Sequence, residues 1–141
     1  MEYEISEMSI EDYDEAMALW EETEGIGLRD SDNRVGIESF LRRNPGMSLV
    51  ARKDQRIIGT LLCGQDGRRG YLYHLSVVPS QRLQGIGKAL VERCLSQLRA
   101  EGIQKCHIFV FIDNEEGHQF WKRMRWENRL DIQVMSRVIA R

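Results

Sequence analysis

VVPSQRLQGIGKAL, residues 77–90, leads from an apolar segment through a proline into a turn that contains two glycines. The residues at 71–78 have the composition of a β-strand. Apolar side chains then recur at helical spacing at Ile86, Leu90 and Cys94, which predicts a helix that begins in the turn. The first amides of a helix lack intrahelical partners and lie at the positive end of its dipole, so the turn is predicted to cradle a pyrophosphate.

Two common nucleotide-binding motifs do not fit this turn. A Walker A loop requires glycine where this chain has Arg82, and serine or threonine where it has Ala89, so the hydroxyl that would bind magnesium is missing. A dinucleotide fingerprint requires a third glycine at the position of Leu90. Gly85 and Gly87 nevertheless leave room for an anion, because neither carries a Cβ atom.

Outside the turn, strand and helix patterns alternate along the chain. An apolar stripe at Tyr13, Ala16, Met17 and Trp20 predicts the first helix. Further helices are predicted at 35–41, from Gly85 onward and at 114–124, and strands at 3–8, 47–53, 57–63, 71–78, 105–112 and 126–138. The predicted order is therefore β-α-α-β-β-β-α-β-α-β.

The composition predicts a single soluble domain spanning residues 1–141. Hydrophobic residues make up 42% and charged residues 30% of the chain. A net charge of -2 gives no basis for nucleic-acid binding, and no segment has the pattern of a membrane span or a signal peptide. Cys63, Cys94 and Cys106 lack the spacing of a disulfide framework or a zinc site, so we expect reduced thiols, no metal and a cytoplasmic protein.

The turn and its surroundings resemble a known family. Arg82-x-x-Gly85-x-Gly87, preceded by Val77-x-Pro79, is similar to the coenzyme A motif of the GNAT superfamily, the acyl-CoA-dependent N-acetyltransferases, and the element order is similar to that of small bacterial members. For the short motif alone, an ordinary strand-to-helix turn is the alternative. The resemblance implies an α/β (α+β) GNAT fold, in which a mixed central sheet is splayed between strands 4 and 5 and flanked by about four helices. It also implies acetyl-CoA as the acyl donor, with its pantetheine arm in the splay.

A second resemblance lies at the last predicted helix. In many GNAT enzymes an asparagine at the position of Asn114 contacts the pantetheine, and a tyrosine at the position of Trp121 faces the sulfur; packing in the core is the alternative for Trp121. Leu83 stands where glycine is commoner in the family, so either its side chain points away from the phosphates or the cradle is less open than usual. The coenzyme-binding residues implied by the resemblance are Leu75, Ser76, Val77, Arg82, Leu83, Gln84, Gly85, Ile86, Gly87, Lys88, Asn114 and Trp121.

Catalytic residues are marked less clearly than donor-binding residues. By resemblance, the amide of Val77 donates to the developing oxyanion. The side chains that serve as base or acid in relatives are replaced here by Tyr71, Phe109 and Trp121. His107 is the leading unmatched base, because it shares a strand face with Phe109 and an imidazole titrates near neutral pH; a structural histidine is the alternative. Tyr71, together with Tyr73, is expected to orient the amine or to donate to the thiolate, and packing on a central strand is the alternative.

A second histidine lies on the fourth predicted strand. His74 differs in parity from Tyr71 and Tyr73, and alternate residues of a strand face opposite sides. We therefore expect His74 to point away from both tyrosines and to be the weaker base.

The acceptor is predicted to be a primary amine of a small molecule or peptide, attacking directly in a ternary complex. The first 24 residues contain ten Asp or Glu and no Lys or Arg, which favours a cationic substrate, with a solvated acidic face as the alternative. The aromatic residues Tyr71, Tyr73, Phe109 and Phe111 leave room for an apolar acceptor instead. A homodimer is a tendency of the family. The alternative function is an acyl-CoA-binding regulatory module with little or no turnover.

Overall fold

The computed structural model describes residues 2–140, which form one five-stranded sheet with helices on both faces. The strands are β1 (Glu4–Glu7), β2 (Leu49–Lys53), β3 (Arg56–Gln65), β4 (Gly70–Val77) and β5 (Cys106–Ile108). The helices are α1 (Tyr13–Glu22), α2 (Arg34–Arg43), α3 (Ile86–Ala100) and α4 (Glu115–Arg123). Short 3₁₀ turns cover Ile10–Asp12, Asp30–Asp32 and Pro79–Gln81.

The sheet is mixed, and its strand order follows the sequence. Neighbouring strands from β1 to β4 are antiparallel, whereas β5 is parallel to β4. Asp54 and Gln55 have φ values of 52° and 65°, which give the β2–β3 hairpin a tight turn whose twist matches that of the strands. A parallel pair requires a crossover, and α3 supplies it between β4 and β5. The strand-to-helix reading of residues 77–90 is thereby confirmed.

Two helical layers bury the two faces of the sheet. On the α1–α2 face, Trp20 and Ile37 pack with Val50 and Leu62 of the sheet. On the α3–α4 face, the apolar stripe of α3 packs on the opposite side chains of the same strands; its members are Ile86, Leu90, Val91, Cys94 and Leu98. The side chains of α4 pack at the edge of this second layer. Burying several large apolar side chains on each face is the main force that holds the layers together.

The sheet opens between β4 and β5. The two strands pair only at Gly70–Leu72 with Cys106–Ile108. Beyond Leu72, the edge of β4 from Tyr73 to Val77 has no partner strand among residues 2–140. We call this opening the β4–β5 gap. It confirms the predicted splay between the fourth and fifth strands.

The fifth strand is shorter than predicted. It ends at Ile108 rather than at residue 112. After Ile108 the chain leaves β4 and packs the ring of Phe111 on Gly27 of the α1–α2 connection, where a Cβ atom would lie only 2.7 Å from that ring. This departure opens the gap.

The predicted last strand at 126–138 is wrong. Residues 127–140 form no helix or strand. Ile132 and Val134 alternate as a strand would, yet they are 60% and 66% exposed because no neighbouring strand lies against them. Alternation supplies a strand propensity, but a strand also needs a partner edge.

A β-bulge in β4 reverses one prediction. The β3–β4 register shifts between Thr60 and Leu62, and His74 has a φ of 56°. His74 turns its ring onto Trp20 of α1, with 4.9 Å between the ring centroids. It therefore lies on the α1–α2 face together with Tyr73, and the expectation that it points away from the tyrosines is wrong. Simple alternation fails because a bulge places one extra residue opposite a single partner.

Candidate active site

The turn before α3 presents a row of unpaired amides. Gly85 caps the helix with a φ of 81°, and no side chain caps it. The first intrahelical bond runs from the Ala89 amide to the Gly85 carbonyl at 2.9 Å, so the amides of residues 86–88 have no carbonyl partner inside the helix. Leu83 adopts a φ of 64° with its side chain fully exposed, at 102%. Unpaired amides at the start of a helix can hold an anion, which is the role that the sequence predicts for this turn.

The two glycines of the turn have different roles. A Cβ atom on Gly85 would meet nothing within 4 Å, so glycine there serves the left-handed backbone. A Cβ atom on Gly87 would lie 3.4 Å from Phe120 of α4 and 3.9 Å from Val77 of β4. These are ordinary van der Waals distances, so a Cβ atom at position 87 would fit and would point toward β4 and α4 rather than into the open side of the cradle.

Arg82 connects the cradle to the β4–β5 gap. Its Nε donates to the Val77 carbonyl oxygen at 2.9 Å, while its side chain is exposed. A guanidinium has further N–H groups with which to meet a phosphate. The cradle and the gap thus form one continuous surface with a positive charge between them.

The free edge of β4 presents backbone amides to the gap. The Val78 amide donates to the Ile58 carbonyl of β3 at 2.9 Å. Because successive amides of a strand point to opposite edges, that of Val77 faces away from β3 and into the gap. The His74 carbonyl accepts the Thr60 hydroxyl of β3 at 2.9 Å, so the Leu75 amide of the same trans peptide also points away from β3. Two donors on one open edge suit an extended ligand chain or a developing oxyanion.

Asn114 lies at the start of α4, where the α1–α2 connection meets it. Its Oδ1 accepts the Gly117 amide at 3.0 Å and caps the helix. A Cβ atom on Gly25 would lie 2.6 Å from its Nδ2, so this connection packs directly on the asparagine. Since the cap uses Oδ1, Nδ2 is the atom left for a ligand.

Trp121 belongs to an aromatic group at the end of α4. Its ring packs at a steep angle against Phe120 and Trp126, with centroid distances of 5.0 and 4.9 Å. The turn between Trp121 and Trp126 is closed by Arg125, whose φ is 69° in a position where glycine is preferred. Packing accounts for the contacts of Trp121 in the structure.

The three predicted catalytic residues do not meet. Tyr71 and His107 are register partners on β4 and β5, with 5.7 Å between their ring centroids, at the closed end of the gap. Val77 lies six positions further along β4, which is roughly 20 Å at the rise of a strand. His107 therefore lies far from an oxyanion held by the Val77 amide.

An aromatic wall lines the closed end of the gap. Tyr71, Tyr73 and Phe109 stand nearly parallel, with interplanar angles of 11°, 15° and 25°. Burial, and secondarily the neighbouring Tyr71, raise the pKa of Tyr73, so its phenol is neutral near pH 7. A cleft of about 180 Å³ opens beside the two tyrosines, with Phe40 and Arg43 of α2 on its other side.

His74 and Asp32 form a pair on the α1–α2 face. His74 Nε2 lies 2.7 Å from Asp32 Oδ1, and the two side chains are 13% and 10% exposed. Asp32 Oδ2 accepts the Arg29 amide at 2.9 Å, and the Asp32 carbonyl accepts the Tyr13 hydroxyl at 2.7 Å. The pair escaped sequence reasoning because its members are 42 residues apart and no spacing rule links them.

The described residues contain no metal-binding group and no reactive thiol. Within residues 2–140, no three His, Cys, Asp or Glu side chains come together as metal ligands would. The pKa of Cys94 is raised by its contact with Cys63 and by burial, and burial raises the pKa of Cys106 to about 12, so both remain thiols near neutral pH. None of the helices in this range has the length and apolar character needed to cross a bilayer.

Sequence comparison identifies close relatives. Residues 10–125 match the sequence model of the Acetyltransferase (GNAT) family. An acetyltransferase of Yersinia pestis (strain Pestoides F) is 33% identical over 137 residues, covering 97% of this chain and 96% of the relative. An acetyltransferase of Pectobacterium atrosepticum is 33% identical over 129 residues, covering 92% and 91%.

Structure comparison finds the same fold in solved proteins. The PaiA N-acetyltransferase of Thermoplasma acidophilum, in complex with coenzyme A, superposes with a TM-score of 0.76 at 22% identity, covering 88% of this chain and 89% of that one. Ard1 of Thermoplasma volcanium gives 0.78 at 19% identity, covering 88% and 82%. The predicted α/β fold, with its splayed mixed sheet and four flanking helices, is confirmed.

Proposed function

Because this chain belongs to the GNAT family of acyl-CoA-dependent N-acetyltransferases and takes acetyl-CoA as its donor, we propose that it acetylates a primary amine of a small molecule or peptide in a ternary complex. One observation carries the proposal. The unpaired amides of residues 86–88 follow the turn whose Arg82 bonds to the Val77 carbonyl, beside the gap that the Leu75 and Val77 amides line. A pyrophosphate would meet the first set of amides, and an amide-containing arm attached to it would meet the second set.

We assign donor binding to the residues that the sequence indicates. Backbone amides from Leu83 to Lys88 hold the pyrophosphate, with added charge from Arg82, and Asn114 Nδ2 contacts the pantetheine. The β4 edge polarises the thioester carbonyl through the amide of Val77 or Leu75, which stabilises the oxyanion as the amine attacks. Trp121 packs beside this arm rather than supplying a proton, because an indole N–H is not acidic enough.

The acceptor side is rimmed by carboxylates, which supports a cationic acceptor. Thr23 Oγ1 lies 2.6 Å from Ser76 Oγ, so α1 ends directly beside β4. Glu21, Glu22 and Glu24 flank Thr23 and are exposed. Three carboxylates at one rim raise the local concentration of an alkylammonium.

Two measurements test the transfer. Acetyl-CoA is expected to raise the Tm by binding the folded protein, and free thiol is expected to appear only when an amine is added. Stabilisation without amine-dependent thiol release, over a panel of small amines and peptides, would instead identify the acyl-CoA-binding regulatory module. Failure of acetyl-CoA, longer acyl-CoA and free CoA to stabilise the fold would contradict both functions.

A homodimer is part of the same proposal. Residues 127–140 carry large apolar side chains in the open, among them Leu130, Met135 and Ile139 at 88%, 91% and 97% exposure. Exposed apolar surface of this extent favours association. Light scattering after size exclusion is expected to give twice the chain mass for the full chain and a single chain mass for a variant that ends at Trp126. A full chain that stays monomeric at high concentration would contradict the dimer.

We also propose a cytoplasmic location. Cys63, Cys94 and Cys106 are free thiols, which a reducing compartment maintains. Fractionation of a producing cell is expected to recover the protein with cytoplasmic markers, and recovery with secreted proteins would contradict the assignment.

A further inference from the structure

We propose that His74 is the general base of this transfer and that Asp32 positions it. The inference rests on the proposed function and supplies the proton acceptor that the function requires. No comparison assigns a role to either residue. Four features of the structure carry it: the place of His74, its free nitrogen, its restraints and the chemistry of the acceptor.

His74 lies beside the reacting edge of β4. It directly precedes Leu75, whose amide faces the gap, and it is three positions from Val77, about 10 Å along the strand. The cradle lies at the start of α3, which packs on the other face of the sheet, whereas the cleft beside Tyr71 and Tyr73 opens on the α1–α2 face. We therefore place the acceptor on the α1–α2 face, where His74 lies. His107 lies further away, at the closed end of the gap.

The hydrogen bond to Asp32 determines which nitrogen of His74 is free. A carboxylate oxygen can only accept, so Nε2 carries the proton in the 2.7 Å bond, and in the neutral imidazole Nδ1 then keeps its lone pair. Within the part of the chain that the structure describes, Nδ1 has no hydrogen-bond partner. Among the described residues, the fully buried side-chain nitrogen or oxygen atom that lacks a hydrogen-bond partner is Gln81 Oε1. His74 Nδ1 also lacks a partner but is not one of these fully buried atoms, so solvent reaches it.

His74 is restrained at three points. Its ring contacts Trp20 at 63°, its Nε2 is held by Asp32, and its carbonyl accepts the Thr60 hydroxyl at 2.9 Å. Thr60 is itself held by Trp20, whose Nε1 donates to Oγ1 at 2.8 Å. A left-handed conformation is strained at a residue that is not glycine, and such strain is concentrated at functional sites. The bulge that carries this strain is what turns the imidazole toward the acceptor face.

The proton balance of the reaction gives His74 a defined step. An alkylamine arrives as the ammonium ion, and Nδ1 takes one proton from it and passes that proton to water. The neutral amine then attacks the thioester carbonyl, so that a C–N bond forms as the C–S bond breaks. The second amine proton leaves with the sulfur as free thiol. The products are an amide, coenzyme A and one proton, with no oxidation or reduction.

The first test compares two acceptors in the variant His74→Gln. An alkylamine must lose a proton before it attacks, whereas an alkoxyamine of the same shape is already neutral at pH 7. Glutamine can still donate to Asp32, so the pair's structural bond is kept. We expect kcat for the alkylamine to fall about 100-fold or more, and kcat for the alkoxyamine to fall less than about 10-fold. Acetyl-CoA affinity and Tm are expected to stay at wild-type values.

The second test addresses the positioning role of Asp32. Nitrogen NMR of the wild type is expected to show His74 protonated at Nε2 and bare at Nδ1. Asp32→Asn removes the charge and can donate a proton of its own, so we expect a mixed tautomer population and at least a 10-fold loss of kcat for the alkylamine. A variant with the wild-type tautomer and the wild-type rate would overturn the positioning role.

Other outcomes separate this inference from the proposed function. If kcat in His74→Gln falls equally for the alkylamine and the alkoxyamine, the His74–Asp32 pair is structural and the role of His74 as base is overturned. A fall in Tm that accompanies the loss of kcat leads to the same conclusion. A full alkylamine rate in His74→Gln, with a loss in His107→Ala, would move the base to His107. If the wild type releases no thiol with any amine, both the proposed acetyl transfer and the role of His74 are contradicted. If the wild type is active and His74→Gln is equally active, only the role of His74 is contradicted.

Discussion

We assign the donor and the acceptor to two sides of β4, the donor side and the acceptor side, and these are built in different ways. The donor side uses backbone amides and one continuous stretch of sequence, residues 77–90. The acceptor side uses side chains from distant parts of the chain: Asp32 meets His74 across 42 residues, and Thr23 meets Ser76 across 53. Backbone recognition tolerates changes of side chain, whereas an acceptor site built from side chains can change by single substitutions.

The largest expected effect breaks the donor side alone. Gly85→Ala forces a Cβ atom into the left-handed region, at a cost of about 1 to 2 kcal/mol unless the turn shifts. Gly102→Ala is the matched control, because Gly102 follows the other end of α3 with a φ of 83° and equally open surroundings. We expect similar losses of stability in both, measured by urea unfolding, but a roughly tenfold weaker acetyl-CoA affinity only in Gly85→Ala. Equal affinities would show that the cradle does not hold the donor.

The next effect breaks the acceptor side alone. Thr23→Val leaves the buried Ser76 hydroxyl without its partner, which costs about 1 to 3 kcal/mol of unfolding free energy. Ser76→Ala costs less, because the Thr23 hydroxyl retains its 2.7 Å bond to the Leu19 carbonyl. The double variant is expected to be more stable than Thr23→Val alone.

Steady-state kinetics of Thr23→Val test whether this change affects only the acceptor side. The amine KM is expected to rise in Thr23→Val while acetyl-CoA affinity stays constant. A parallel loss of donor affinity would show that the two sides of β4 are not independent.

The smallest effect sharpens the comparison through backbone strain. Leu83 and Arg125 both adopt left-handed conformations, with φ values of 64° and 69°. Replacing either residue with glycine relieves that strain but adds entropy to the unfolded chain. We therefore expect the free energy of unfolding of each variant to rise by less than about 1 kcal/mol. Acetyl-CoA affinity is expected to stay within about twofold in Leu83→Gly, because the side chain is directed into solvent. A clear loss would instead place Leu83 in contact with the donor.

The difference between the two sides also explains which features can be predicted from the sequence. The turn at Gly85 is encoded locally, by a strand composition, a helical period and a glycine, so the cradle and the α3 crossover follow from pattern alone. The bulge at His74 leaves no local mark: its composition is that of an ordinary strand, and only the register against β3 reveals the extra residue. Parity therefore gives the wrong face for His74.

Pairing partners are the other information that a pattern lacks. Ile132 and Val134 have the alternation of a strand, and the order of elements predicts a sixth one, yet no edge in the described chain pairs with them. The predicted catalytic group fails to assemble for a related reason. Tyr71 and Val77 share one strand, but sharing a strand does not mean proximity when each residue adds about 3.3 Å.

The bond from Arg82 to Val77 gives the proposed donor site an internal competitor. If a pantetheine amide pairs with the Val77 carbonyl and displaces the guanidinium, donor binding exchanges one hydrogen bond for another. The affinity for acetyl-CoA then reflects the difference in free energy between the Val77 carbonyl bonded to Arg82 and the same carbonyl bonded to the pantetheine. Displacement also releases Arg82 toward the pyrophosphate, so that seating one end of the donor prepares the protein to hold the other.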